Sequence, residues 1–108
     1  MINIKELSSK YGTPIFLIDL DKVKENFLRF KKAFPKSIIS YSCKTNFHIE
    51  ILKKINELGG FLEIISDQEI FFAQRAGFSN KRIICNGLGR QDENFEKLVL
   101  GDFFSSQY

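Results

Sequence analysis

Hydrophobic and polar positions alternate between two periods along this chain. Ile15-Phe16-Leu17-Ile18 is an apolar run of strand length, set off by the turn Tyr11-Gly12-Thr13-Pro14. From Asp19 the period changes: Leu20, Val23, Phe27, Phe30 and Phe34 are spaced by three and four, the stripe of an amphipathic helix. Asp19 is its expected N-cap and Pro35 its stop. Ser37 to Ser42 reads as a second strand. Ile51, Leu52, Ile55 and Leu58 then mark a helix that Gly59-Gly60 ends. Phe61 to Ile65 is a third strand, followed by Ser66-Asp67-Gln68-Glu69, whose S-x-x-E spacing predicts a capped helix running to Ala76. Arg82 to Cys85 is a fourth strand, closed by Asn86-Gly87-Leu88-Gly89, where Asn86-Gly87 reads as a turn. Asp92 opens a last helix, with Phe95, Leu98 and Val99 on one face. Residues 1–10 form a short helix or arm, and Asp102 to Tyr108 carry no pattern.

Strands alternating with helices at intervals of about 20–25 residues predict an α/β protein with a parallel sheet under covering helices. A complete (β/α)8 barrel takes about 250 residues, so 108 residues hold about three of its units, an incomplete TIM barrel with a strand and helix in front. The expected division is 1–36 for that leading strand and helix and 37–108 for the partial barrel. Three parallel strands leave two sheet edges open, so the chain alone is expected to self-associate.

Composition narrows the partners. The apolar fraction of 44% is that of a folded domain, and 16 basic against 13 acidic residues are mixed along the chain without a charged block. Nothing suggests a nucleic-acid surface. No apolar run approaches the about 20 residues of a membrane span, and the first residues lack the apolar core of a secretory signal, so a cytoplasmic protein is expected. Cys43 and Cys85 lie in apolar strand-like runs without metal spacing and read as reduced, buried thiols.

The candidate chemistry sits in Ser40-Tyr41-Ser42-Cys43-Lys44-Thr45-Asn46, which places a lysine where a buried strand ends and a helix begins. Strand ends of this kind carry the active groups of α/β barrels. Lys44 is either a surface charge or an amine held for covalent work. If it points inward, Ser42 and Ser40 share its face by the period of two, and Ile39, Tyr41 and Cys43 face the covering helices. His48, the single histidine, reads as a surface residue at a helix start.

The chain resembles the ornithine/diaminopimelate/arginine decarboxylase family, pyridoxal-phosphate enzymes on an alanine-racemase-like barrel (fold type III), and most closely its diaminopimelate decarboxylases. Tyr11-Gly12-Thr13-Pro14-Ile15-Phe16-Leu17-Ile18-Asp19 resembles that family's YGTPLYVYD, and Tyr41-Ser42-Cys43-Lys44-Thr45-Asn46 resembles its YAVKAN. Leu58 to Glu69 resembles LGAGLDVVSGGE, and Ala76-Gly77-Phe78 with Lys81 to Gly87 resembles AGFPPERIVFNG. Order and spacing hold over about residues 7–101. The resemblance implies pyridoxal 5'-phosphate as cofactor, a small amino-acid substrate (meso-diaminopimelate, decarboxylated to lysine) and a homodimer in full-length members. It implies Lys44 as the lysine that bonds the cofactor, with Ser42, Glu63, Ser66 and Glu69 around it. Glu63 stands where the family usually has Asp; it is either a cofactor neighbour or a salt-bridge partner, and Ser66 and Glu69 could serve mainly as a helix cap. The family's phosphate-binding loop and substrate-binding arginine come from later strands, as does its C-terminal β-domain, with which the run Ile15–Ile18 would belong. The expectation is therefore an N-terminal fragment, inactive alone. Alternatives are a non-catalytic remnant or interaction module, and a carboxynorspermidine decarboxylase or racemase with the same lysine chemistry.

Overall fold

The computed structural model describes residues 2–89, and the helix expected from Asp92 lies outside them. The elements run α1 (Ile4–Tyr11), α2 (Leu20–Ala33), β1 (Ser40–Ser42), α3 (Ile49–Glu57), β2 (Phe61–Ser66), α4 (Asp67–Arg75) and β3 (Ile83–Gly89), with 3-10 turns at Cys43–Thr45 and Asn80–Arg82. The three strands form one parallel sheet in the order β1-β2-β3.

The helices start where their caps predict. Asp19 accepts from the Lys22 amide at the head of α2 (3.1 Å), and α2 stops at Ala33, two residues before Pro35. At the end of α3, Gly59 takes φ 85°. That left-handed residue lets the Gly59 and Gly60 amides donate back to Asn56 and Ile55, turning the chain into β2. Gly60 lies so close to α2 that a Cβ there would meet Ile55 Cγ2 at 2.7 Å and Phe27 Cε2 at 2.9 Å.

The core lies between the sheet and the helices. Leu62, Ile64 and Ile83 on one sheet face, Ile51, Leu52 and Ile55 of α3, Ala73 of α4 and Phe27 of α2 are buried together. Burying such side chains stabilises by about 1.5–3 kcal/mol each. Arg82 ties the bottom of this layer. Its guanidinium donates to the carbonyls of Gly60 (2.9 Å) and Asn56 (3.4 Å) and to Asn56 Oδ1, while Asn56 Nδ2 donates to Ala76 O. Carbonyls at the ends of two helices thereby find donors.

Four expectations need correction. Ile15–Ile18 is not a strand: it has no ladder partner among the described residues, and Phe16 is fully exposed. A strand is a pairing, and an apolar run alone does not make one. The strand expected over Ser37–Ser42 is only Ser40–Ser42, because pairing starts where the Phe61 amide donates to Ile39 O. Asn86-Gly87 does not turn the chain. β3 continues to Gly89, with Ile64 opposite Cys85 and Ser66 opposite Gly89 across an irregularity, so the neighbouring ladder overrides the local turn preference. Cys85 is half-buried rather than buried, and Cys43 and Cys85 are not joined in a disulfide.

Candidate active site

The register of the sheet sorts the residues. Ser40, Ser42, Glu63 and Ile84 alternate with the buried Leu62, Ile64 and Ile83, and so share the sheet face opposite the helices. Ser42, Glu63 and Ile84 stand in one row across the three strands. This face is open: Ile84 is 42% exposed and Glu63 is half-buried. Ser42 Oγ is buried with no hydrogen-bond partner among the described residues, an orphaned hydroxyl on an otherwise accessible face.

Lys44 follows β1 at its C-terminal end and is exposed, with no ion pair among the described residues. β1 stops at Ser42, so Lys44 sits within the 3-10 turn Cys43–Thr45 rather than in the strand itself. The turn is pinned from several sides. Tyr41 Oη donates across it to Asn46 O (2.8 Å). Asn46 Oδ1 accepts from the His48 amide (3.0 Å), and His48 Nδ1 accepts from the Glu50 amide (3.2 Å), capping α3. His48 is exposed, as expected, and also serves as this cap.

Below the turn, Cys43 is fully buried, with the Glu69 carboxylate as its charged neighbour. Burial first, then that carboxylate, push the thiol up to about 12. Glu69, itself buried, accepts from Ser66 Oγ (3.1 Å) and the Ile65 amide (3.4 Å), and its own amide donates to Ser66 Oγ (3.4 Å). Ser66 and Glu69 thus cap the head of α4 reciprocally. The Tyr41 hydroxyl is raised by burial and by Cys43, opposed by its bond to Asn46.

The structure brings Ser42 and Glu63 together in one row and sets Lys44 just beyond its β1 end, while Ser66 and Glu69 are engaged with one another at the end of β2. Sequence reasoning missed the bond from Tyr41 to Asn46 and the nearness of Glu69 to Cys43. The S-x-x-E spacing pointed to Glu69, but nothing local marked the cysteine as its neighbour. Among the described residues there is no cluster of metal ligands and no helix long and apolar enough to cross a membrane.

Comparison with known proteins adds to this geometry. Residues 20–102 match the family described as pyridoxal-dependent decarboxylase, pyridoxal binding domain. The diaminopimelate decarboxylase of Aquifex aeolicus is 34% identical over 98 residues, covering 91% of this chain and 23% of the relative. That of Helicobacter pylori (strain J99) is 37% identical over 101 residues, covering 92% and 25%. The crystal structure of the Helicobacter pylori diaminopimelate decarboxylase complexed with L-lysine superposes with a TM-score of 0.82 at 34% identity, covering 94% of this chain and 26% of that one. The chain therefore spans about a quarter of the length of the curated relatives it matches.

Proposed function

The chain belongs to the pyridoxal-dependent decarboxylase family, through its pyridoxal-binding domain, and from this premise we propose that it forms the lysine-bearing wall of a diaminopimelate decarboxylase. The parallel sheet under its helices is a partial (β/α)8 barrel, and the cofactor of the family is pyridoxal 5'-phosphate. Residues 1–36 are assigned to the leading segment and residues from 37 onward to the barrel. The observation that carries the reading is Lys44, exposed in the turn at the C-terminal end of a parallel strand, where barrels place their chemistry.

The residues present fit the cofactor. An accessible sheet face leaves space for a flat ring, and the orphaned Ser42 hydroxyl and the Glu63 carboxylate offer polar partners beside it. Pyridoxal phosphate, when bound, supplies an electron sink for the charge left as CO2 departs. Lys44 would hold the group through its exposed amine, the nucleophile that this wall supplies. Ser42 Oγ has a free proton to donate to an oxygen above it. Glu63 places a negative charge on the same row, suited to orient a cationic group. Ser66 and Glu69 contribute through the cap that joins β2 to α4 rather than by free side chains. The substrate is a small amino acid, meso-diaminopimelate, released as lysine and CO2; assembly as a homodimer belongs to the same proposal.

Two measurements test this. Borohydride reduction of the chain mixed with pyridoxal phosphate, followed by peptide mapping, is expected to label Lys44 ahead of the other lysines; uniform labelling would overturn its role. Replacing the corresponding quarter of the Helicobacter pylori enzyme with this chain is expected to give CO2 release from meso-diaminopimelate that Lys44→Ala abolishes. A folded, cofactor-bound chimera that releases none would refute the substrate.

A further inference from the structure

We propose that Tyr41 is a positioning residue for Lys44, acting through the bond that its hydroxyl donates to the main-chain carbonyl of Asn46. The inference rests on the reading of Lys44 as the cofactor-bonding lysine, and gives a task to a side chain that packs on the helix-covered side of β1.

Lys44 is exposed and has no ion pair among the described residues, so the backbone beneath it sets where its amine can reach. That backbone is a three-residue 3-10 turn, a form with poorer hydrogen-bond geometry than an α-helix, and its head has no side-chain cap. The sheet holds the near end, where Ser42 stands opposite Glu63. The far end has left the sheet and is held by other elements. Asn46 Oδ1 accepts from the His48 amide (3.0 Å) at the head of α3. The Phe47 ring stacks on Phe72 of α4, with centroids 5.1 Å apart and planes 5° from parallel. The bond from Tyr41 Oη to Asn46 O (2.8 Å) joins the two ends and closes a loop with Lys44 near its middle. The tyrosine ring is half-buried and packed against the core, so its hydroxyl is delivered to one place. Phenylalanine would fill the same space without the bond, which separates the clasp from the packing.

The test compares the unaltered chain with Tyr41→Phe and Asn46→Ala. Three readouts are taken on each: the share of borohydride-trapped pyridoxal phosphate found on Lys44 against the other lysines, hydrogen exchange of the Thr45 and Asn46 amides in the turn, and hydrogen exchange of the Leu62 and Ile64 amides in β2. One neutral hydrogen bond corresponds to a change of about fivefold. Tyr41→Phe should lower the Lys44 share and speed exchange in the turn by about that factor, and leave exchange at Leu62 and Ile64 unchanged. Asn46→Ala, which frees the same residue from its other side, should move the Lys44 share and the turn exchange in the same direction. A merely structural tyrosine would speed exchange in β2 as much as in the turn, and that result would overturn the proposal. So would turn exchange that Tyr41→Phe leaves unchanged, or a Lys44 share that stays constant while the turn loosens. If Tyr41→Phe does not fold, Asn46→Ala decides by the same criteria. Trapping in the unaltered chain that does not favour Lys44 refutes the cofactor role of the lysine and not the clasp, which the exchange of the turn against β2 then decides alone.

Discussion

Removing the Cys43 thiol should change how stability depends on alkaline pH. In the folded chain the thiol titrates near about 12, against an ordinary value of 9.0. Between these values the unfolded chain gives up its proton and the folded chain keeps it, so the unfolded state gains. The contribution of Cys43 is fully present below about pH 9 and is lost as pH rises towards about 12. At about 1.36 kcal/mol per pH unit, the loss amounts to about 2.5–3 kcal/mol by pH 11 and about 4 kcal/mol over the whole range. Cys43 has no exposed surface, so solvent does little to screen this. The assay is urea unfolding of the unaltered chain and of Cys43→Val from about pH 8 to about pH 11. Groups common to both chains cancel, apart from the share of the Tyr41 shift that Cys43 itself causes. The advantage of the unaltered chain over the valine variant should shrink steadily above about pH 9. A difference that stays constant to pH 11, or native thiolate absorbance from Cys43 at its ordinary value, would refute the burial argument.

Other perturbations have defined outcomes. Arg82→Ala should cost about 2–4 kcal/mol in urea unfolding, because it removes the guanidinium donors to Gly60 O and Asn56 Oδ1 and one of the donors to Asn56 O, and Arg82→Lys should recover part of that. Gly60→Ala should cost about 1–3 kcal/mol, since its Cβ would overlap Ile55 and Phe27, and Phe27→Leu in the same chain should relieve some of the loss. Ser66→Ala should lower the thermal midpoint by the equivalent of about 0.5–2 kcal/mol through loss of the α4 cap. The 108-residue chain by itself should release no CO2 from meso-diaminopimelate, measured by gas evolution, because one bonded lysine does not hold a cofactor in register.

What was legible in the sequence was what local chemistry decides. The three-four spacing from Leu20 to Phe34 and the aspartate before it placed α2 to within a residue. The S-x-x-E spacing placed the start of α4, and Gly59-Gly60 the end of α3. The parallel α/β class followed from the order of periods. What required a partner was not legible. Ile15–Ile18 has the composition of a strand and nothing described to pair with, whereas Asn86-Gly87 has the composition of a turn and a neighbour that pairs past it. Phe30 and Phe34 belong to the helical stripe yet remain exposed, lining open grooves beside Ile39 and Ser40 instead of core. At the site, the lysine and its motif were visible, but the 3-10 turn that carries it and the burial of Cys43 beneath it depend on where β2 and α4 arrive in space.

The hydrogen bonds described around the lysine turn span a short length of chain. They run from Tyr41 to Asn46, His48 and Glu50, from the end of β1 into the head of α3. Loops this short close at small entropic cost, and contacts close in sequence form fast. The clasp around Lys44 can therefore begin to close during synthesis, before β2 has emerged to pair with β1. The seat of the amine is local to its stretch of chain, and the sheet is fitted to it.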